Sequence, residues 1–488
     1  MFSLAETVQP VSLLCSYRLG LAVIAFLCFV FNYAQRIGMS VAIVCMVNHT
    51  ALDLMQDGSA PINTTDGPFA WTKEVQGHVL GSFFYGYLIS QIPGGILAER
   101  FGGKWVYGGS LALATIGTLL TPVAASLSFG LLIFFRVIVG IGSGVMFPAM
   151  HAMWGQWAPP YERSRLAGIS YAGAMMGSVL AMPISGVLCQ HGFAGGWGSI
   201  FYVIGICSML VVVVWLILTS NTPSQHRFIS KAEKKYITSS LAGQVSEGGN
   251  DWCSVPWLKF ATSGPVWAII VANFCSDWGL YTLLTNIPTF YKEVLYFDIS
   301  SNGLFSALPF IGLWANMNIS PIIIDVLRGK GVFSTTVGRK IFNSIGMMGA
   351  AIFLVGLSFM DCTQTGLAVG LLTIAVTLSG TAYSGFLVNH MDIAPKFAGT
   401  LFGISNGLAS MSGFVAPPVA AAITKDRTRG QWQIVFFVAG AVYAFGAIFY
   451  VIFGSGDLQE WAMEEKIPEE VMLKVKEDDD PEKNEEKA

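Results

Sequence analysis

Apolar runs, each cut off by charge or by turn-forming residues, recur along the whole chain. They fall near 19–47, 76–98, 105–125, 129–152, 166–190, 198–219, 264–290, 302–324, 341–360, 366–389, 397–423 and 432–454. A helix needs roughly 20 mostly apolar residues to cross the ~30 Å hydrocarbon layer, and it must satisfy its backbone polar groups internally. The pattern therefore predicts an all-α polytopic membrane protein with twelve transmembrane helices. The longest polar interval, 220–263, carries Arg227, Lys231, Lys234 and Lys235 in a helical, charged pattern. It reads as a cytoplasmic linker between two six-helix bundles, 19–219 and 264–454, flanked by a short N-terminus, 1–18, and an acidic tail, 455–488.

Composition removes the soluble alternatives: 53% of residues are apolar and only 12% charged. The net charge of −3 says little about partners, because the acids cluster around Asp478, Asp479 and Asp480 in a tail expected to be disordered and solvated. The bilayer is the expected surroundings, and nothing points to nucleic acid. The eight cysteines have no paired spacing, and most, including Cys28, Cys207 and Cys275, lie in apolar runs, so they read as small buried hydrophobes. No cleavable signal peptide is evident before the first run, which should persist as the first helix. Residues 1–17 also lack an acidic dileucine signal, since Gln9 stands where an acid should precede Leu13 and Leu14.

Basic residues orient the chain. With the N-terminus inside, 20 of the 27 lysines and arginines fall on the cytoplasmic side and five outside, which leaves Arg36 and Arg136 within spans. Both termini are then cytoplasmic. Two glycosylation sequons, at Asn48 and Asn63, fall in the first outside loop.

The charges inside the membrane carry the candidate chemistry. Arg36 lies deep in the first span, where an arginine is costly unless it faces a wet cavity or a partner. Arg136 in the fourth span precedes Gly140 and Gly144, which permit close helix approach. A guanidinium offers a planar fork to carboxylate or phosphate, so two arginines with few buried acids imply a small anionic substrate. The bland alternative for Arg36 is a structural pair with a buried carbonyl or carboxylate; Arg136, nearer the outer end, suits a gating role or an anion entry site as well as direct substrate contact. Asp277, in the middle of the seventh span, suits proton or sodium coupling, or else packs as a hydrogen-bonded residue. His151 and His390 read as structural, hydrogen-bonded histidines. Tyr33, Phe83, Phe84 and Tyr85 are candidates to line a cavity. No catalytic cluster, metal-ligand set or cofactor motif converges, so the chain reads as a carrier and not an enzyme.

Gly95, Glu99, Arg100, Gly102 and Lys104 form a short basic loop signature between the second and third spans, suited to a conformational clamp. Asp325, Arg328 and Lys330 echo it after the eighth span, one half-chain later, as two similar bundles facing a shared cavity require. The signature resembles that of the major facilitator superfamily. Further strings narrow the resemblance: Tyr33-Ala-Gln-Arg36, Gly81-Ser-Phe-Phe-Tyr-Gly-Tyr87, Phe147-Pro-Ala-Met-His-Ala-Met-Trp154, Trp157-Ala-Pro-Pro-Tyr-Glu-Arg-Ser-Arg165, Val388-Asn-His-Met-Asp-Ile-Ala-Pro395 and Gly403-Ile-Ser-Asn-Gly407. Over residues 17–461 the chain resembles the anion–cation symporter family of sialin, the vesicular glutamate transporters and the type I sodium–phosphate cotransporters, its sialin branch above all.

The resemblance implies the major facilitator fold, substrate recognition by Arg36, and the fourth-helix arginine at Arg136. It also exposes departures. Val139 and Ser143 replace glutamates linked to proton coupling, Leu80 replaces a histidine, and Ser276 replaces an arginine of the glutamate carriers. The expectation is a secondary transporter of a sialic or other acidic sugar, an acidic amino acid or phosphate, working by alternating access as a monomeric unit with a proton or sodium ion. A potential-driven facilitative carrier and a non-transporting sensor are the alternatives. Lysosomal or vesicular membrane and plasma membrane are both open.

Overall fold

The computed structural model describes residues 12–14, 16–48, 67–242, 255–295, 299–360, 362–425 and 428–463. Asn63, the acidic run 478–480 and part of the linker lie outside them. The apolar runs become α1 (Tyr17–Met46), α2 (Lys73–Phe101), α3 (Gly103–Leu127), α4 (Phe129–Trp157), α5 (Arg163–His191) and α6 (Trp197–Leu218) in the first half. The second half contains α7 (Gly264–Glu293), α8 (Ile299–Gly329), α9 (Thr335–Ser358), α10 (Thr365–Ile393), α11 in two pieces (Ala398–Ser410 and Ser412–Ile423) and α12 (Arg429–Phe453). Ten of these are long and apolar enough on their own to cross a membrane. The other two are α2, rich in glycine and polar residues, and α11, divided at Met411.

Side-chain caps start several helices: Ser16 Oγ accepts from the Leu19 N–H, Thr72 Oγ1 from Val75 and Ser128 Oγ from Leu131. In α10, Tyr383–Leu387 form a wider π turn. Within the first half α1 packs on α5 and α2 on α4; within the second, α9 packs on α10 and α12, and α7 on α12. The halves meet where α2 and α4 face α11 and where α5 faces α8. A Cβ at Gly95 of α2 would strike the Gly399 carbonyl of α11, so the two backbones touch there.

The helix ends fall into a basic end, marked by Arg18, Lys104, Arg163 and Arg339, and an opposite, far end. At the far end Val47 bridges to Phe69, with the Asn48 N–H donating to the Phe69 carbonyl at 2.8 Å. There Cys45 of α1 is joined by a disulfide to Cys189 of α5. This corrects the reading of the cysteines as unpaired hydrophobes. The partners are 144 residues apart, and only the packing of α1 on α5 brings them together. Cys28 and Cys275 remain free and buried.

The predicted loops are also revised. Gly95, Glu99 and Arg100 belong to α2 and Lys104 to the first turn of α3; the connection is Gly102 alone, at a φ of 91° that favours glycine. Asp325 and Arg328 lie inside the last turns of α8 and are buried, because each finds an ionic partner at the junction of the halves.

Candidate anion site and its closed floor

Arg36 is placed by α1 so that its guanidinium lies among four aromatic rings. Its Cζ is 5.0 Å from the Phe84 centroid, 5.2 Å from Phe83, and 5.6 Å from both Tyr33 and Tyr87. Tyr33 is three residues before Arg36 on the same helix face; Phe83, Phe84 and Tyr87 share one face of α2. Tyr85, predicted to line the cavity, points away and is 59% exposed, as its place on the helix turn requires. Ring faces stabilise a cation without neutralising it. Among the described residues Arg36 makes no ion pair, although it interacts through hydrogen bonding with the Tyr281 hydroxyl of α7.

Arg136 of α4 stands beside it, its Cζ 5.4 Å from the same Phe83 ring. It is buried, and its Nε has no hydrogen-bond partner among the described residues. The close approach rests on Gly140, where a Cβ would strike the Phe83 carbonyl oxygen. Asp277 faces Arg36 from the other half, within electrostatic reach, and is bordered by Tyr281, Tyr383 and Tyr443. Arg36, Tyr33, Phe84, Asp277 and Tyr281 all keep part of their surface exposed, so they border a gap between the halves. At the two positions where the resemblance implied glutamates, Val139 is buried, and Ser143 Oγ accepts a 2.9 Å bond from Asn32.

Below the gap, towards the basic end, the halves are bolted together. Asn406 Nδ2 donates to Gln91 Oε1 at 2.7 Å and to the Tyr87 hydroxyl at 3.4 Å; Gln91 Nε2 donates to Ser410 Oγ at 3.3 Å. His151 bonds the Leu387 carbonyl at 3.1 Å and stacks on Phe402, and His390 bonds Ser405 at 2.7 Å. Both histidines are hydrogen-bonded, as expected, and His151 makes one of its bonds across the junction. Deeper still, Asp392 pairs with Arg339 at 2.7 Å and Arg163 at 3.3 Å, while Asp325 accepts the Arg165 N–H at 2.8 Å. Arg328 donates to the Pro160 carbonyl at 3.2 Å. Of the predicted clamp, Glu99 reaches the other half; Arg100 lies over Phe101 and Lys104 over Trp105. Sequence reasoning gave no role to Arg163, Arg339, Asp392, Gln91 or Asn406. Three of the strings that carried the resemblance contain Arg163, Asp392 and Asn406.

The sequence matches the Major Facilitator Superfamily over residues 25–417, most of the chain, and the chain belongs to that superfamily of membrane transporters. Within it, the chain falls in the anion–cation symporter family of sialin and the vesicular glutamate transporters. It is 46% identical to human sialin over 470 residues, covering 94% of this chain and 93% of that one. It is 41% identical to human vesicular glutamate transporter 2, covering 95% of this chain and 78% of the relative. Among solved structures, the proton:xylose symporter XylE bound to 6-bromo-6-deoxy-D-glucose matches with a TM-score of 0.67 at 14% identity, covering 91% of this chain and 98% of its own. The fucose transporter FucP in its outward conformation matches with a TM-score of 0.61, also at 14%, covering 87% of this chain and 98% of its own. At such identity these share the fold alone. The protein is a multi-pass transporter and not an enzyme.

Proposed function

We propose that this transporter carries a small anion, either organic (a sialic or other acidic sugar, or an acidic amino acid) or phosphate, by alternating access and in symport with a proton or sodium ion. The observation that carries the reading is Arg36: a cation in the membrane interior, ringed by aromatic faces, partly open to the gap and without an ion-pair partner among the described residues. An anion arriving there meets a charge already desolvated and oriented, so little reorganisation opposes binding. Arg136 adds attraction from one side, and Asp277 is proposed to hold the coupling cation on the other. The names of the relatives agree with an anionic cargo.

With the basic end bolted shut, we infer that the gap is entered from the far end. The Cys45–Cys189 disulfide supports placing that end in an oxidising compartment, lumenal or extracellular, and both termini in the cytoplasm. The transport unit is proposed to be a monomer, in a lysosomal, vesicular or plasma membrane.

The test is uptake of a panel of labelled anions into proteoliposomes, with and without sodium and at two pH values. Saturable uptake that Arg36→Ala abolishes supports the reading, and Arg36→Lys should rescue little, since lysine lacks the bidentate fork. Near wild-type uptake by Arg36→Ala at matched protein amount would overturn it. One observation favours a second reading, a potential-driven carrier: the neutral Asn32–Ser143 pair in place of a coupling acid. An anion then moves on membrane potential, about 2.3 kcal/mol per charge per 100 mV, and uptake would ignore both cation gradients.

A further inference from the structure

Two imidazoles face each other across the junction of the halves. His151 of α4 and His390 of α10 have ring centroids 5.6 Å apart, and both lie against the Phe402 ring of α11, at 3.9 and 5.3 Å. Both are buried, and both bond the same Leu387 carbonyl, His151 through Nε2 at 3.1 Å and His390 through Nδ1 at 2.9 Å. A carbonyl can only accept, so each of those nitrogens carries a proton. The other nitrogen of each ring meets a hydroxyl at 2.7 Å, that of Tyr171 for His151 Nδ1 and that of Ser405 for His390 Nε2. One proton per ring completes this arrangement. His151 Nδ1 also lies 3.2 Å from the Phe147 carbonyl of its own helix, an acceptor that a second ring proton would meet.

No acid balances such a proton. The titratable and charged groups on the elements packed around the rings are engaged elsewhere: Glu99 of α2 by Thr400, Asp392 by Arg339 and Arg163, and Asp325 of α8 by Arg165 and Arg328. Among the described residues none of them bonds or pairs with either imidazole, and Tyr171 is a neutral phenol.

We propose that His151 and His390 form a proton-binding site that fills only when the basic end opens, so that acid on that side holds the carrier open there. In the shut form an added proton would be a charge away from water and from any acid, facing a second imidazole. The rings belong to opposite halves, so parting the halves takes Leu387 and Phe402 from His151 and admits water to both rings. A water-exposed imidazole titrates near pH 6.5. Proton uptake on opening then pulls the equilibrium towards the open form. The shut form is favoured above about pH 6.5 and weakens about tenfold per pH unit below it for each ring that fills. The site is distinct from Arg36 and does not depend on the identity of the cargo.

The experiment uses the full chain in nanodiscs with Ala398→Cys as reporter, a buried position beside Gly155 across the junction, and with the cysteines outside the Cys45–Cys189 bridge replaced by serine. Its rate of modification by a thiol reagent, divided by the rate for free glutathione at the same pH, measures opening. From about pH 7.5 to 5.5 that ratio should rise about tenfold or more, turning upward near 6.5. His151→Gln places a non-titrating amide donor where Nε2 stands, and His390→Asn does so for Nδ1; each should reduce the rise and the two together should abolish it. Acid confined to the far side of proteoliposomes should have no effect. A flat wild-type profile overturns the proposal, and so does a rise that survives both substitutions, which would place the proton at Glu99 or Asp392. If the double variant does not fold, the single variants decide, and a full rise in both is equally fatal.

Discussion

Glu99 accepts the Thr400 backbone N–H at 2.7 Å through one carboxylate oxygen and the Thr400 hydroxyl at 2.6 Å through the other. One carboxylate thus spans the junction of the halves, from the end of α2 to the first turn of α11. Both donors lie at a helix start, where backbone N–H groups lack intrahelical partners.

Glu99→Gln keeps the shape but can accept only one of the two donors. A buried donor left unsatisfied costs about 1–3 kcal/mol, so the closed basic end should lose about tenfold or more in population. An Ala152→Cys reporter, buried beside Gly399, should label correspondingly faster with a thiol reagent. Equal labelling rates with and without the Glu99→Gln change would remove the latch role.

Asp392 is shared by Arg163 of one half and Arg339 of the other. Asp392→Asn leaves two buried guanidiniums without their counter-ion, a change of about 3–5 kcal/mol against the closed form. The expected result is a marked drop in melting temperature of the purified protein, with Asp392→Glu intermediate. An unchanged melting temperature would mean that water or a rearranged neighbour compensates.

Replacing Cys45 and Cys189 by serine together should lower stability by about 2–4 kcal/mol, the usual range for a bridge closing a long loop. Either single variant should expose one new thiol to a membrane-impermeant reagent added from the far side. No new reactivity in either single variant would argue against the bridge.

Asn48→Gln with Asn63→Gln should remove a glycosidase-sensitive mobility shift in a eukaryotic host while transport persists. Modification of an acceptor site engineered into 220–263 would reverse the sidedness.

Apolar runs cut by charge and turn residues made the twelve helices legible, since each must be internally satisfied in lipid; α2 and α11, too polar or divided to qualify by length and apolarity alone, were marked by their boundaries. Arg36, Arg136 and Asp277 stood out because a charge in an apolar run is expensive. Tyr87, Tyr281, Gln91 and Asn406 did not, because neutral polar and aromatic residues are ordinary in membrane helices and only helix rotation reveals which of them meet. Tyr85 failed for the same reason: one residue of helix turn separates the gap from the lipid face. The Cys45–Cys189 bridge and the Asp392 cluster join segments far apart in sequence, so no local pattern announces them.

The π turn at Tyr383–Leu387 gives α10 one more residue than a regular helix would place there. Its carbonyls are put to use: Ser384 receives Arg339 at 2.6 Å, and Leu387 receives His151 from the other half and His390 from its own. Such a bulge is a dislocation in the helix and can be annealed out by a slip of one residue. If α10 regained its ordinary winding, both acceptors would rotate off their donors together, and one end of the helix would turn by about one residue against its neighbours, so a change of pitch here would unlock the seam.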